Sequence, residues 1–417
     1  MFKNIIQSLF TKGLVAVINF FILIISSRYL GVSSRGEISI FILNIAIIQI
    51  VNEVYTGYSL IYFMPKFNLL KMYVMGLIYT LVFCSLSNLV VVFFNKQVPG
   101  YGWLGYIISF LVIVNTFNCV LILGKEKVLI YNFLNFIQPF LLLVGLCFSL
   151  LVLREFTFKS YILPLLFSFI ASFIFSTIVV LKIDFKESNK KYFELKPILV
   201  NGLICQAAVL MHIFCNRYSY YLLPGSAKVG LYSSASSLIE SVLIIANGIS
   251  PVLLARVANT GDTVKSSEIT LSLSKASLFF SSIVVICIFI LPEDFYIYLL
   301  GDGYRGIKRL MMLYSPGILM VSFFGIISHY FSALGKLKLI LFCNSFGFII
   351  SLVFAPILIS KYDIDGAAYT VNMAYMAVGI AIGVLFFVNN KMKLKRLFSV
   401  KQDVNNLKSL IRSNNNF

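Results

Sequence analysis

Eight stretches of this chain, at 72–95, 97–124, 128–153, 160–181, 197–216, 310–335, 339–360 and 366–390, contain no Asp, Glu, Lys or Arg. Each reaches the ~20 residues that an α-helix needs to cross a hydrocarbon layer about 30 Å thick. Inside lipid, every backbone N–H and C=O must find a partner in the protein itself, and runs of this length do so as helices. Four further apolar segments, near 8–30, 38–62, 230–254 and 270–292, are long enough if they tolerate a charge inside or beside an end. The expectation is an all-α integral membrane protein of about twelve transmembrane helices. Composition agrees: of 417 residues 59% are hydrophobic and 12% charged, with a mean hydropathy of +0.94, far from the balance of a soluble domain.

The first apolar segment has no small-x-small cleavage site after it and the apolar pattern resumes at once, so it reads as a span and not as a signal peptide. All seven cysteines lie in or beside apolar runs and none forms a CxxC pair, which makes them soft hydrophobes rather than metal ligands or disulfides. No GxxxxGK[ST] loop is present and no soluble domain could house a nucleotide. No cofactor and no metal are expected.

A net charge of +18 suggests nucleic acid only until its distribution is considered. With the N-terminus in the cytoplasm, most of the 34 basic residues fall on the cytoplasmic side, both termini included, as the positive-inside rule requires for an even number of spans. The charge is topology, and nucleic acid is not a partner. The basic, Asn-rich end of the chain reads as a cytoplasmic tail drawn to anionic lipid, with Leu394, Leu397 and Phe398 as anchors.

The chain repeats itself. "LGVSSRG" at 30–36 and "PGSAKVG" at 224–230 each follow a span, set two glycines five apart and carry a basic residue. "LGKEKVLIYN" at 123–132 and "LGKLKLILFC" at 334–343 share Gly-Lys-x-Lys before an apolar run. The offsets, 194 and 211, differ by an insertion in the second copy. The expected organisation is an N-terminal six-helix bundle at 1–190, a C-terminal six-helix bundle at 191–388 and a basic tail at 389–417. Parallel repeats of this kind are a transporter design.

A charge near the bilayer centre costs about 2.5–3.5 kcal/mol on insertion scales, so ionisable residues inside spans mark cavities or partners. Glu53 lies deep in span two, His212 and Arg217 in span seven and Glu240 in span eight. At 100° per residue, Gln49, Asn52, Glu53 and Thr56 share one face of span two. Ser233, Ser236, Ser237, Glu240 and Asn247 share one of span eight, and His212, Asn216 and Tyr220 one of span seven. The serines alone would also suit helix packing. Between spans one and two, Arg28 ends a helix, Gly31 and Gly36 permit a turn, and Arg35 and Glu37 flank the next helix. Both arginines would suit headgroup contact. Arg28, with Arg217 and Lys228, would equally suit paired hydrogen bonds to a diphosphate. Lys12 and Arg256 near cytoplasmic ends, and the lone His329, are weaker candidates. Pro139, Pro251, Pro316 and Pro356 fall inside spans as kinks or hinges.

The opening "FKNIIQSLFTKGLVAVINFFILIISSRYLGVSSRGEISIF", the matching "YYLLPGSAKVGLYSSASSL" and the doubled six-span layout resemble the Wzx-type polysaccharide flippases of the multidrug/oligosaccharidyl-lipid/polysaccharide exporter superfamily. The likeness runs from residue 1 to about 388 and rests on hydropathy and a few loops. It implies two pseudo-symmetric bundles forming a V around a central cavity in a bacterial inner membrane. It implies a non-enzymatic flippase that moves undecaprenyl-diphosphate-linked oligosaccharide repeat units between leaflets for O-antigen or capsule synthesis. Polysaccharide polymerase and chain-length regulator are the partners to expect. On that view Arg28, Arg35, Gln49, Asn52, Glu53, His212, Arg217, Lys228 and Glu240 bind substrate, with Glu53, Glu240 and His212 as candidates for ion coupling. The alternatives are a multidrug or organic-cation antiporter of the same superfamily and a membrane polysaccharide polymerase. A cation exporter calls for a more acidic lining. A polymerase calls for clustered catalytic groups and larger outer loops.

Overall fold

A computed structural model describes residues 2–57, 59–183, 193–259, 263–399 and 402–403; the expected bundle boundary at 190/191, most of the Lys-rich linker and the tail beyond Asp403 lie outside these. Among the described residues the chain forms thirteen α-helices: α1 (Phe2–Thr56), α2 (Ser59–Phe63), α3 (Leu69–Phe93), α4 (Gly102–Gly124), α5 (Val128–Leu151), α6 (Lys159–Leu181), α7 (Leu195–Arg217), α8 (Ser226–Glu240), α9 (Ile244–Asn259), α10 (Thr263–Ile290), α11 (Glu293–Leu300), α12 (Ile307–Ala333) and α13 (Leu337–Asn389). Among the described residues, ten helical segments are long and apolar enough to cross a membrane. Two of them, of 54 and 53 residues, are broken mid-way, at Gly31 (φ 77°) in α1 and at Asp363 (φ 53°) in α13. Each break yields two spans, so the architecture is all-α and multi-pass with about twelve spans.

Span eight departs from the expected single helix. A 3₁₀ turn at Ser241–Leu243 separates α8 from α9 directly after Glu240. The tighter turn rotates the register, and Asn247 is exposed rather than continuing the arc of Ser233, Ser236 and Glu240. Lipid-facing packing is plain in α3, which turns Met72, Gly76, Thr80 and Cys84 inward at every fourth position and leaves Leu70, Val74, Ile78, Leu81 and Leu89 exposed.

The chain divides into two compact units. One comprises 1–210 with 224–234 and 296–304; the other comprises 211–223, 235–295 and 305–417. In the first unit, one core joins Ile22, Ile38, Phe41, Ile108, Leu146 and Ile162. A second core joins Tyr55, Met72, Phe117, Val120, Leu134 and Ile198. In the second unit α12 is the hub, burying Met311, Ile318, Ile326 and Ile327. Ser322 of α12 meets Ser277 and Ser281 of α10 at 2.8 and 2.6 Å. Hydroxyl pairs of this kind let membrane helices approach closely.

The letter match of the two Gly-Lys-x-Lys turns is two residues out of register. The left-handed residue that reverses the chain is Glu126 (φ 58°) in one turn and Gly335 (φ 69°) in the other. The backbone bonds Glu126 N–H to Leu123 O and Lys127 N–H to Ile122 O recur as Gly335 N–H to Ser332 O and Lys336 N–H to Phe331 O. The hydrogen-bond pattern of the helix end, not the motif's letters, sets the equivalence.

Part of the basic tail is tied to the second unit. Arg396 pairs with Glu268 at 2.6 Å and Asp403 at 2.7 Å, and Lys275 of α10 pairs with Asp403 at 2.7 Å. Of the expected lipid anchors Phe398 is exposed and Leu397 half-buried, while the Leu394 side chain lies outside the described residues. Burial alone would raise the Asp403 carboxyl, but bonds from Lys275, Arg396 and Ser272 outweigh it and hold the group below its ordinary range. A depressed carboxylate contributes stability above its unfolded value of about 3.9 and loses it as pH falls through the lower folded value. The tail is therefore expected to stay docked at neutral and mildly acidic pH. Asp403→Asn at pH 7 should speed tryptic cleavage after Lys395 roughly tenfold; an unchanged rate would show that the network does not hold the tail.

Candidate functional site

The two copies of the glycine motif meet. Gly31 and Gly225 both sit at positive φ (77° and 85°) and turn the chain into the second arm of α1 and into α8. Those helices cross at Gly36 and Gly230, where a Cβ on Gly36 would overlap the Ser226 carbonyl and one on Gly230 the Val32 carbonyl. Ser33 and Ser226 hydroxyls touch at 2.5 Å, and Ser39 donates to Ser233 at 2.8 Å. Close backbone approach through small residues is the usual way apolar helices associate in lipid.

Glu53 lies further along the same arm. Gln49 Nε2 donates to Glu53 Oε1 at 2.8 Å, and Gln206 of α7 supplies a second amide. The approach of α7 depends on Gly202, whose missing side chain leaves room for the Val54 carbonyl. Asn52 and Thr56 are fully buried, each bonding a carbonyl one turn earlier. The polar face expected in span two is thus split: Gln49 and Glu53 form the half-buried site, while Asn52 and Thr56 face the packed interior. Among the described residues no cation pairs with Glu53.

The second unit holds a denser cluster. Arg217 pairs with Glu240 at 2.7 Å, donates to Ser236 at 2.9 Å and bonds the Tyr220 hydroxyl. Asn216 Nδ2 donates to the other Glu240 oxygen at 2.7 Å. The Tyr314 hydroxyl bonds Asn216 Oδ1 and lies 3.2 Å from Glu240. His212 stacks on Tyr375 at 5.8 Å. His212, Asn216 and Tyr220, which helical spacing sets on one side of span seven, lie in the cluster that Glu240 of α8 completes. Tyr314 and Tyr375 come from α12 and α13 and were missed; a tyrosine in an apolar run has no spacing signal that separates it from core.

The remaining cations differ in setting. Arg28 is exposed, donates to the Tyr298 carbonyl and lies 5.2 Å from the Tyr298 ring centre. Arg28 and Arg217 thus each have partners within their own unit. Lys228, in the first turn of α8, is half-buried. Arg35 is only 9% exposed and bonds no carboxylate among the described residues. Lys12 is exposed and His329 half-buried, while the Arg256 side chain lies outside the described residues. A separate cavity of about 330 Å³ opens between α1, α3 and α4 beside Ile45, Ile48, Asn88 and Tyr106. It does not include Glu53. Among the described residues no group of three or more His, Cys, Asp or Glu gathers as metal ligands would.

Broken, paired helices around buried charge define a class of membrane transporter folds. Comparison with solved structures gives the particular one. The chain is similar to an inward-facing multidrug resistance MATE family transporter of the MOP superfamily, with TM-score 0.74 and 16% identity over 90% of this chain and 94% of that one. It is similar to the lipid II flippase MurJ in an inward closed conformation, with TM-score 0.68 and 14% identity over 99% and 92%. It is also similar to the Vibrio cholerae MATE transporter VcmN, with TM-score 0.61 and 12% identity over 95% and 98%. No family model and no curated protein matches the sequence. At these identities the likeness establishes the fold that MATE transporters and MurJ share.

Proposed function

We propose that the chain is a flippase for polyprenyl-diphosphate-linked oligosaccharides, working by alternating access between a six-helix bundle at 1–190 and one at 191–388. The observation that carries this reading is how the charges of the helices are paired. Glu240, the acid of the larger cluster, is neutralised by Arg217 from its own chain, whereas Arg28 and Arg35 have no carboxylate partner among the described residues. Among the described residues Glu53 is a single carboxylate without a cation, whereas an organic-cation exporter needs an acidic lining; a diphosphate carrier needs cations not bound to carboxylate, and guanidinium supplies their donors in pairs. The likeness to MurJ over nearly the whole chain supports a lipid-linked substrate. A sugar diphosphate cannot enter hydrocarbon bare, since each hydroxyl and charge would lose its water. Arg28 and Lys228 contact the diphosphate, and Gln49, His212 and the Arg217–Glu240 cluster hold sugar hydroxyls; Asn52, packed in the interior, is not among them. Arg35 belongs with the diphosphate ligands when the helix crossing beside it opens. The setting is a bacterial inner membrane with both termini cytoplasmic, and a polymerase and chain-length regulator act on the product.

Glu53 is the proposed coupling group, because it is a membrane carboxylate held by amides and not by a cation. Glu53→Gln keeps the volume and removes the charge. Export of lipid-linked sugar should fall roughly tenfold, equivalent to about 1.4 kcal/mol, with protein level and melting temperature unchanged. The test compares cells carrying wild type, the variant or no protein for undecaprenyl-diphosphate oligosaccharide facing the cytoplasm. Accumulation without the protein supports the flippase reading. An unchanged, correctly placed pool without it rejects that reading and turns attention to drug efflux.

A further inference from the structure

Among the described residues, four buried polar atoms of the first unit, Arg35 Nε, Ser27 Oγ, Ser234 Oγ and Tyr304 Oη, make no hydrogen bond of ordinary geometry. They form one cluster. The Tyr304 hydroxyl lies beside those of Ser27 and Ser234 within reach of the Arg35 charge, and the Tyr161 hydroxyl stands beside the guanidinium. The five side chains come from the end of the first arm of α1, the start of its second arm, the start of α6, α8 and the 3₁₀ turn at Asp302–Tyr304. All are sealed: Ser27 and Ser234 are 0% exposed, Tyr304 1%, Tyr161 3% and Arg35 9%.

Hydroxyls can rotate to satisfy one another, but a guanidinium only donates and does not lose its proton. A buried arginine without a counter-charge costs several kcal/mol, and water supplies partners without supplying charge. The cluster offers a unit positive charge and neighbouring N–H and O–H donors, with no carboxylate paired to it among the described residues. We infer that Arg35, Tyr161, Tyr304, Ser27 and Ser234 form a binding site for one dehydrated monovalent anion of halide size. A diphosphate headgroup is too large to be enclosed by side chains this deeply buried. The site adjoins the Gly36–Gly230 crossing, so an anion there would bind α1, α6 and α8 together and favour the conformation in which that crossing is closed. This inference does not depend on the identity of the transported substrate.

The test is thermal unfolding of the full-length purified protein in sodium chloride, bromide, gluconate and phosphate at equal ionic strength. Wild type should melt higher in chloride and bromide than in gluconate, with a saturable dependence on halide concentration. Arg35→Gln should abolish the difference. Because that variant risks misfolding, the Ser27→Ala/Ser234→Ala double and Tyr304→Phe are measured beside it and should need roughly tenfold more halide for the same shift. Crystals grown in bromide should show an anomalous peak between Arg35 and Tyr304. Equal melting in chloride and gluconate would overturn the site in favour of neutral water. A rise in phosphate alone would reassign it to the substrate headgroup and overturn the halide assignment.

Discussion

Glu240→Gln is expected to destabilise the second unit by about 3 kcal/mol. Removing one member of a buried ion pair leaves the other uncompensated at about 3–5 kcal/mol. The lower end applies because the Arg217 and Glu240 side chains keep 23% and 21% of their surface. The variant leaves Tyr220 and Ser236 bonded to an unbalanced guanidinium and takes the carboxylate from Asn216 and Tyr314, which donate to it. Arg217→Met should cost a similar amount. The Arg217→Met/Glu240→Gln double should recover most of the loss, since neither charge is then stranded. Thermal unfolding of the four proteins in detergent measures this cycle. Two singles that add up in the double would mean that the pair contributes no coupling and that the cluster is not a unit.

The second large effect is steric. Gly36→Ala places a methyl group against the Ser226 carbonyl, and Gly230→Ala places one against the Val32 carbonyl. Backbone cannot rotate aside as a side chain can, so α1 and α8 must separate. Each single is expected to cost about 3 kcal/mol, the upper end for overpacking. Because one separation relieves both clashes, the double should cost little more than either alone. Gly325→Ala is the control: nothing lies within 4 Å of its missing Cβ, and alanine in a helix is favoured by up to about 1 kcal/mol. Melting temperature and membrane protein level together report the outcome. Tolerance of both singles would show that the crossing is not tightly closed.

The spans were readable because hydrocarbon imposes length and charge exclusion directly on the sequence, and the observed helices follow the charge-free runs to within a few residues. The glycine repeat was readable for a related reason. Gly31 and Gly225 occupy positive φ and Gly36 and Gly230 make room for backbone, and both tasks exclude a side chain. Glu53, Arg217 and Glu240 stood out as expensive charges in apolar surroundings. Their pairing did not, since Arg217 and Glu240 lie on different helices whose facing is settled by packing. Tyr161, Tyr304, Tyr314 and Tyr375 were invisible because a buried tyrosine differs from a core phenylalanine only by the hydroxyl that tertiary structure employs. The break after Glu240 and the docking of Arg396 and Asp403 on α10 likewise arise from long-range contacts with no local pattern.

Purified protein reconstituted into liposomes with a fluorescent polyprenyl-diphosphate oligosaccharide tests the central claim most directly. The label is quenched from outside by a membrane-impermeant reductant. The proposed function predicts that wild type exposes the inner-leaflet pool at a rate well above protein-free liposomes, and that Arg28→Gln and Glu53→Gln slow this without loss of folded protein. A rate equal to that of empty liposomes, from protein shown to be folded, would contradict it.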